Sequence, residues 1–146
     1  MACPYFLPEG KLETGPGTHA PRLPLGAAFQ GVCLAQPGEP HTPPEQHQQE
    51  LCNCGYARGR CERFPVDSAA DAVRFSVIED TRAGLRLVYI FEKDHAPSEF
   101  GPIEFSIADH EFCIPAPNPI VARQVTVFIE AYLARTSGVR AAGSGD

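Results

Sequence analysis

The sequence lacks the features that mark secreted, membrane-spanning and nucleic-acid-binding proteins. Its first residues, MACPYFLPEGKLE, contain no basic segment followed by an apolar one, so we expect no secretory signal. No apolar run approaches the length of about 20 residues that a membrane-spanning helix needs. The net charge of −6 argues against a broad contact with nucleic acid or with an anionic membrane. We therefore expect a soluble, cytoplasmic protein.

The chain also lacks the compact motifs of several common enzyme classes. It has no GxSxG, no phosphate-binding P-loop, no GxGxxG between a strand and a helix, and no HExxH. A pair formed by a cysteine nucleophile and a histidine base stays open, because such partners meet in space and not along the chain. The sequence therefore does not decide whether the protein is an enzyme.

Proline and glycine divide the chain into two parts of different character. Residues 1–66 hold five of the six cysteines and two segments rich in proline and glycine, at residues 14–26 and 36–45. Proline has no amide donor, which disfavours long helices and central strands there. We expect a loop-rich, cysteine-rich region that a bound metal would organise. One short helix is predicted over residues 44–52, with Cys52 at its end.

Residues 67–137 show the periodicities of regular structure. Alternation of apolar and polar residues predicts three strands, at residues 73–77, 85–91 and 103–107. A polar stretch between the first two strands predicts a hairpin. Asn118 and Pro119 then begin a helix with an apolar stripe, and Gly138 is its predicted end.

These patterns predict an α+β fold in a single domain. A small antiparallel sheet of about three strands is packed by a C-terminal helix, both within residues 67–137. Residues 1–66 form an N-terminal, loop-rich, metal-binding region of the same domain. Residues 138–146 are predicted to be a flexible tail.

The six cysteines carry the strongest chemical signal. In a reducing cytosol they favour metal ligation or thiol chemistry over disulfides. No two of them form a CxxC pair, although structural zinc sites usually take ligands in pairs two to four residues apart. The corners of an iron–sulfur cubane can instead take ligands from distant segments. We therefore expect a [4Fe-4S] cluster, with zinc as the alternative.

Four of the six cysteines are the expected ligands of this centre: Cys3, Cys33, Cys52 and Cys61. Cys52 and Cys61 enclose a glycine-containing loop and could grip two corners of a cluster. Cys54 would point away from Cys52 in an extended chain, so it is the first substitute ligand or a separate reactive thiol. Cys113 is expected to be a small buried hydrophobe.

Other side chains near the cysteines have two interpretations each. Three arginines would offset the negative charge of the thiolates or would lie in a solvated loop: Arg58, Arg60 and Arg63. Four aromatic residues would shield a cluster from water or belong to an ordinary core: Tyr5, Phe6, Tyr56 and Phe64. Asp94-His95 and Asp109-His110 are predicted to be polar turns in preference to acid–base pairs. A surface position is predicted for His19.

Three functions are compatible with this sequence. The first is a small iron–sulfur protein whose cluster is structural or passes electrons to a protein redox partner. The second is a zinc-stabilised protein-interaction module. The third is a thiol redox enzyme or switch that uses Cys52 and Cys54. The sequence indicates neither the partner nor the oligomeric state.

Overall fold

The computed structural model describes residues 2–11, 29–36 and 38–143. These residues form a two-stranded antiparallel sheet, a four-stranded antiparallel sheet and a long C-terminal helix. The strands are β1 (Phe6–Lys11), β2 (Phe29–Cys33), β3 (Ala72–Asp80), β4 (Gly84–Lys93), β5 (Ala96–Ser106) and β6 (Glu111–Ile114). The helices are α1 (Glu45–His47), which continues as a π-helical turn (Gln48–Cys52), and α2 (Pro119–Gly143). The predicted His19 surface position lies outside the described residues.

The larger sheet is a meander in the order β3-β4-β5-β6. The predicted hairpin is confirmed, since β3 and β4 pair antiparallel on either side of residues 81–83. The sheet has four strands where about three were expected, because residues 111–114 turn back and pair with β5. His110 makes this reversal with a φ of 55°, and Asp94 and His95 make the preceding turn with positive φ values. Both Asp-His pairs therefore lie in turns, as predicted.

Helix α2 covers one face of the larger sheet. Its predicted N-cap is confirmed, because Asn118 Oδ1 accepts the Val121 amide at 2.8 Å. The Phe128 ring packs on that of Phe75 in β3, with centroids 5.5 Å apart. The helix runs past Gly138, its predicted end, to Gly143. Within the described residues no helix is both long and apolar enough to cross a membrane.

The smaller sheet packs against the same helix from the N-terminal part of the chain. Gln124 is fully buried, and its Nε2 donates to the carbonyls of Cys3 (2.8 Å) and Phe6 (2.7 Å). Arg123 donates to the Pro8 carbonyl at 2.8 Å. Ala2 forms a two-way backbone pair with β3. These contacts fix the segment that carries Cys3.

The predicted short helix lies where the sequence placed it. Its second half is a π-helical turn, which is wider than an α-helical turn. Gln48 and Cys52 begin and end this turn, and both are buried. The helix therefore delivers Cys52 at its end, facing the interior.

Candidate metal centre

Four cysteines from four separate segments line one cavity. Cys3 precedes β1, Cys33 ends β2, Cys52 ends the π-helical turn, and Cys61 lies in the loop that follows. The cavity has a volume of about 430 Å³. The sequence selected these four residues as ligands, and the fold brings them to the same place.

Backbone hydrogen bonds join the cysteine-bearing segments directly. The Cys3 amide donates to the Cys52 carbonyl at 3.0 Å. Cys33 exchanges two bonds with His41, at 2.6 and 3.1 Å, and the Leu34 amide donates to the Tyr5 carbonyl at 2.9 Å. The segments that carry Cys3, Cys33 and Cys52 are thus held together by the fold itself.

Two buried amide side chains complete this framework. Gln48 Oε1 accepts the Gly31 amide at 2.9 Å, and its Nε2 donates to the Pro43 carbonyl at 2.6 Å. Asn53 is fully buried and bonds to both the amide and the carbonyl of Phe29. These side chains satisfy the backbone groups of β2 that face away from β1, and so hold β2 against the π-helical turn.

Burial disfavours the ionised form of three of these thiols. The pKa of Cys3 is raised to about 12, by burial first and then by the thiols of Cys33 and Cys61. Burial is also the main cause of the raised pKa of Cys33 and of Cys52, and the other three thiols add to it at Cys52. A thiolate at one of these cysteines would therefore disfavour ionisation of the others. A bound cation would remove this repulsion.

Backbone amides near two of the sulfur atoms oppose the effect of burial. The amides of Tyr5 and Phe6 lower the pKa of Cys3, although the effect of burial is larger. Ala35 does the same for Cys33, whose pKa the charge of Arg63 also lowers. Such donors to ligating sulfurs are a means by which proteins stabilise iron–sulfur clusters and set their potentials.

Three of the four thiols that line the cavity are buried, and the fourth is partly exposed. Cys3, Cys33 and Cys52 are 7%, 8% and 6% exposed. Cys61 is only partly buried, and the neighbouring Arg60 is exposed. Cys61 is therefore the thiol of the four that solvent or a partner would reach most easily.

The two remaining cysteines lie outside the cavity lining. Cys54 is partly exposed, and its Sγ donates to the Gln49 carbonyl at 3.4 Å. The prediction of a buried Cys113 is wrong, because Cys113 is exposed. It lies on β6, an edge strand whose alternate residues Phe112 and Ile114 are the partly buried ones. Cys113 therefore has the outward-facing position of the pleat.

The flanking arginines have different roles. Arg60 and Arg63 line the cavity, and Arg63 Nη1 also donates to Gln36 at 3.0 Å. Arg58 does not line it; its Nε is paired with Asp71 at 2.6 Å. Two arginines are thus positioned to offset negative charge in the cavity, and the third is part of the loop structure.

The four aromatic residues near the cysteines in the sequence also differ in position. Phe6 and Phe64 line the cavity, and Tyr5 packs edge-on against Phe64 with centroids 5.6 Å apart. Tyr56 lies elsewhere, donating to Glu92 at 2.7 Å and stacking on His95. Three of the four aromatic residues therefore shield the thiols or support the shield.

Sequence reasoning missed two histidines at this site. His41 and His47 both line the cavity. The sequence offered only a weak signal for them: His41 precedes the helix that delivers Cys52, His47 lies within it, and neither has an i, i+4 histidine partner. Neutral imidazole nitrogen is a common metal ligand, and Glu62 also lines the cavity, so the lining contains three potential donor side chains besides the thiols.

The arrangement of donors suits a bulky sulfur-ligated group better than a single metal ion. Within the described residues, no group of three or more His, Cys, Asp or Glu side chains is arranged to hold a single metal ion. The thiols instead line a space whose other walls are largely apolar. Comparison of this chain with protein-family models, with curated proteins and with solved structures finds no match to any of them.

Proposed function

We propose that this protein binds one [4Fe-4S] cluster through Cys3, Cys33, Cys52 and Cys61. One observation supports the proposal above all. Four thiols from distant segments line a single cavity of about 430 Å³ whose other walls are largely apolar. A cubane takes one thiolate at each iron, so four thiols around a space match its needs.

The volume of the cavity that the thiols line favours a cluster over zinc. Thiolates that share a zinc ion lie about 2.3 Å from one point, which brings their sulfur atoms into contact with one another. The thiols here instead line a space of about 430 Å³. Within the described residues no three of these thiols are arranged to hold a single metal ion, so zinc would require the segments that carry them to rearrange.

The electrostatics disfavour the thiol-enzyme alternative. A nucleophilic cysteine needs a stable thiolate, which a lowered pKa provides. Burial instead raises the pKa of Cys52. Cys54, the second thiol of that alternative, bonds to a carbonyl outside the cavity lining. A metal centre gives the buried thiols a role that they lack as free nucleophiles.

The proposed role is structural or electron-transferring, without a substrate at the cluster. Four thiols complete the coordination of a cubane and leave no iron with an open position. Cys61 lies at the solvent side of the cavity, so electrons would pass to a protein redox partner there. The three buried ligands support the structural aspect, because they join the smaller sheet to the helical turn.

The test is metal analysis of protein purified without oxygen. We expect a brown protein with broad absorbance in the blue and about four irons and four sulfides per chain. Serine substitution of each of the four proposed ligands should lower the iron content sharply. Cys54→Ser and Cys113→Ser are the matched controls, and both should keep it.

Three results would contradict the proposal. A colourless protein with one zinc per chain would favour the zinc-stabilised interaction module. A protein with no metal after anaerobic reconstitution with iron and sulfide would remove the centre altogether. Loss of iron in Cys54→Ser with retention in Cys52→Ser would show that the ligand set is wrong.

A further inference from the structure

The loop that carries Cys61 is closed by an ion pair that is buried on its Asp71 side. Arg58 Nε donates to Asp71 Oδ1 at 2.6 Å. Asp71 is 3% exposed, and its other oxygen accepts the amide of Asp94 at 3.0 Å. Burial raises the pKa of Asp71, but the Asp94 amide and the Arg58 guanidinium outweigh it and hold that pKa below its usual range. The loop is thereby joined to the turn between β4 and β5.

Arg58 uses the rest of its guanidinium within the same loop. Nη1 donates to the Val66 carbonyl at 2.6 Å and Nη2 to the Ser68 carbonyl at 2.8 Å. Its Cζ lies 5.2 Å from the centre of the Phe64 ring, which lines the cavity. A planar fork of donors meets all these partners at once, which the single ammonium of lysine cannot do.

Cys61 lies between two residues that this arrangement holds. Its amide donates to the carbonyl of Ala57 at 2.7 Å, next to Arg58 in the chain. Its carbonyl accepts the amide of Phe64 at 3.2 Å, beneath the guanidinium. The position of Cys61 thus depends on both ends of a short segment that Arg58 spans.

We propose that Arg58 is a positioning residue for the candidate metal centre, holding Cys61 in place at the solvent side of the cavity. The inference rests on the proposed function and deepens it. Arg58 acts through Cys61 and Phe64, since it does not itself line the cavity. Without it, the one ligand that is not deeply buried would move away from the other three and admit solvent.

The experiment compares Arg58→Gln and Arg58→Lys with Arg86→Gln. Arg86 is the matched control, because it forms an exposed ion pair with Glu79 at 2.9 Å, outside the cavity lining. In metal-free protein, the rate of alkylation of Cys61 is measured by mass spectrometry relative to Cys3 in the same molecule. In reconstituted protein prepared without oxygen, the rate of iron release to a chelator is measured.

We expect Arg58→Gln to raise both rates by about tenfold, as local opening of the loop requires. Arg58→Lys should raise them less, and Arg86→Gln should leave both at the wild-type values. Unchanged rates in Arg58→Gln would overturn the proposal. Equal acceleration at Cys3 and Cys61 would also overturn it, because that result means general destabilisation.

Two further arms keep the outcomes distinct. If Arg58→Gln does not fold, Asp71→Asn decides: it preserves shape, removes the ionic partner, and should accelerate alkylation of Cys61 selectively. Wild-type rates in Asp71→Asn and Arg58→Lys would then overturn the proposal. If the wild-type protein takes up no iron and sulfide, the proposed function fails, and the alkylation rates still decide whether Arg58 positions Cys61.

Discussion

The side chain of Asn53 forms a two-way hydrogen-bonded pair with the backbone of Phe29. The Phe29 amide donates to Asn53 Oδ1, and Asn53 Nδ2 donates to the Phe29 carbonyl, both at 2.9 Å. The same Nδ2 also donates to the Gln48 carbonyl at 2.8 Å. The Asn53 side chain therefore forms the hydrogen bonds with β2 that a neighbouring strand would form. Asn53 follows Cys52 directly in the chain.

We predict that Asn53→Ala lowers the free energy of unfolding by about 3 kcal/mol, because it leaves buried backbone groups of Phe29 without partners. Asn118→Ala is the control, since it removes one cap bond at an exposed helix end and should cost about 1 kcal/mol. Urea unfolding of both metal-free variants measures the difference. Equal losses of unfolding free energy in the two variants would contradict the prediction that the Asn53–Phe29 pair contributes more than one helix cap.

Gly31 is predicted to tolerate no side chain. A Cβ at this position would overlap the carbonyl oxygen of Leu7 on β1. We expect Gly31→Ala to cost about 1–3 kcal/mol in thermal or urea unfolding, because the backbone must shift to accept it.

Gly10→Ala is the matched control for Gly31→Ala on the paired strand. Its Cβ would meet only the end of the Gln30 side chain at 3.8 Å, an ordinary contact. We expect the Gly10 variant to unfold like the wild-type protein. A Gly10 variant as unstable as the Gly31 variant would show that alanine is disfavoured throughout this sheet.

The metal-free protein should lose stability at alkaline pH. The pKa of Cys3, Cys33 and Cys52 is raised by burial in the folded state, so the unfolded chain releases protons first. Stability is complete below the unfolded value of about 8.5 and falls as pH rises toward the folded values. The expected slope is about 1.4 kcal/mol per pH unit for each thiol involved.

Urea unfolding between pH 7 and pH 11 measures this slope. A Cys3→Ser variant is the control, because removing one buried thiol should make the slope less steep. The same slope in the variant and the wild-type protein would contradict the assignment of the effect to these thiols.

Thiol reactivity should follow burial. At pH 8 in metal-free protein, we expect Cys113 to react with iodoacetamide at least about tenfold faster than Cys52, because burial suppresses both access and the thiolate fraction. Peptide mass spectrometry over a time course gives both rates from one sample. A faster reaction at Cys52 would revive the thiol-enzyme interpretation.

Local signals in the sequence were sufficient for part of this fold. The alternation around Phe75 and Leu87 predicted strands because one face of each is buried. Asn118 predicted the start of α2 because its cap needs only neighbouring residues. Glu45 and its neighbours predicted the helix that ends at Cys52.

Strands β1 and β2 escaped prediction because tertiary contacts hold them. β1 contains Pro8, which disfavours a strand by composition, and its pairing with β2 shifts register between Pro8 and Gly10. Gly31 weakens β2 as a strand by composition, yet its lack of a side chain is what allows β1 to approach. The buried amide of Gln48 that supports β2 is seventeen residues away in the chain, too far for any local pattern to reveal.

The same contrast between local signals and tertiary contacts applies to the candidate site. Residue chemistry alone selected the four thiols that line the cavity. It could not show that His41 and His47 also line the cavity, because the direction of a histidine side chain depends on tertiary structure and not on the neighbouring sequence. It was wrong on Cys113, since a cysteine between apolar neighbours can lie on either face of a strand.

The four cysteines that line the cavity are widely spaced along the chain. A single centre bound to all of them would close three successive loops, and cross-links of that kind restrict the unfolded chain far more than the folded one. Departure of the centre would release those loops together. If the proposed cluster is that centre, loss of iron or exposure to oxidants would leave a population of this protein that proteases recognise, and its abundance would follow the supply of clusters.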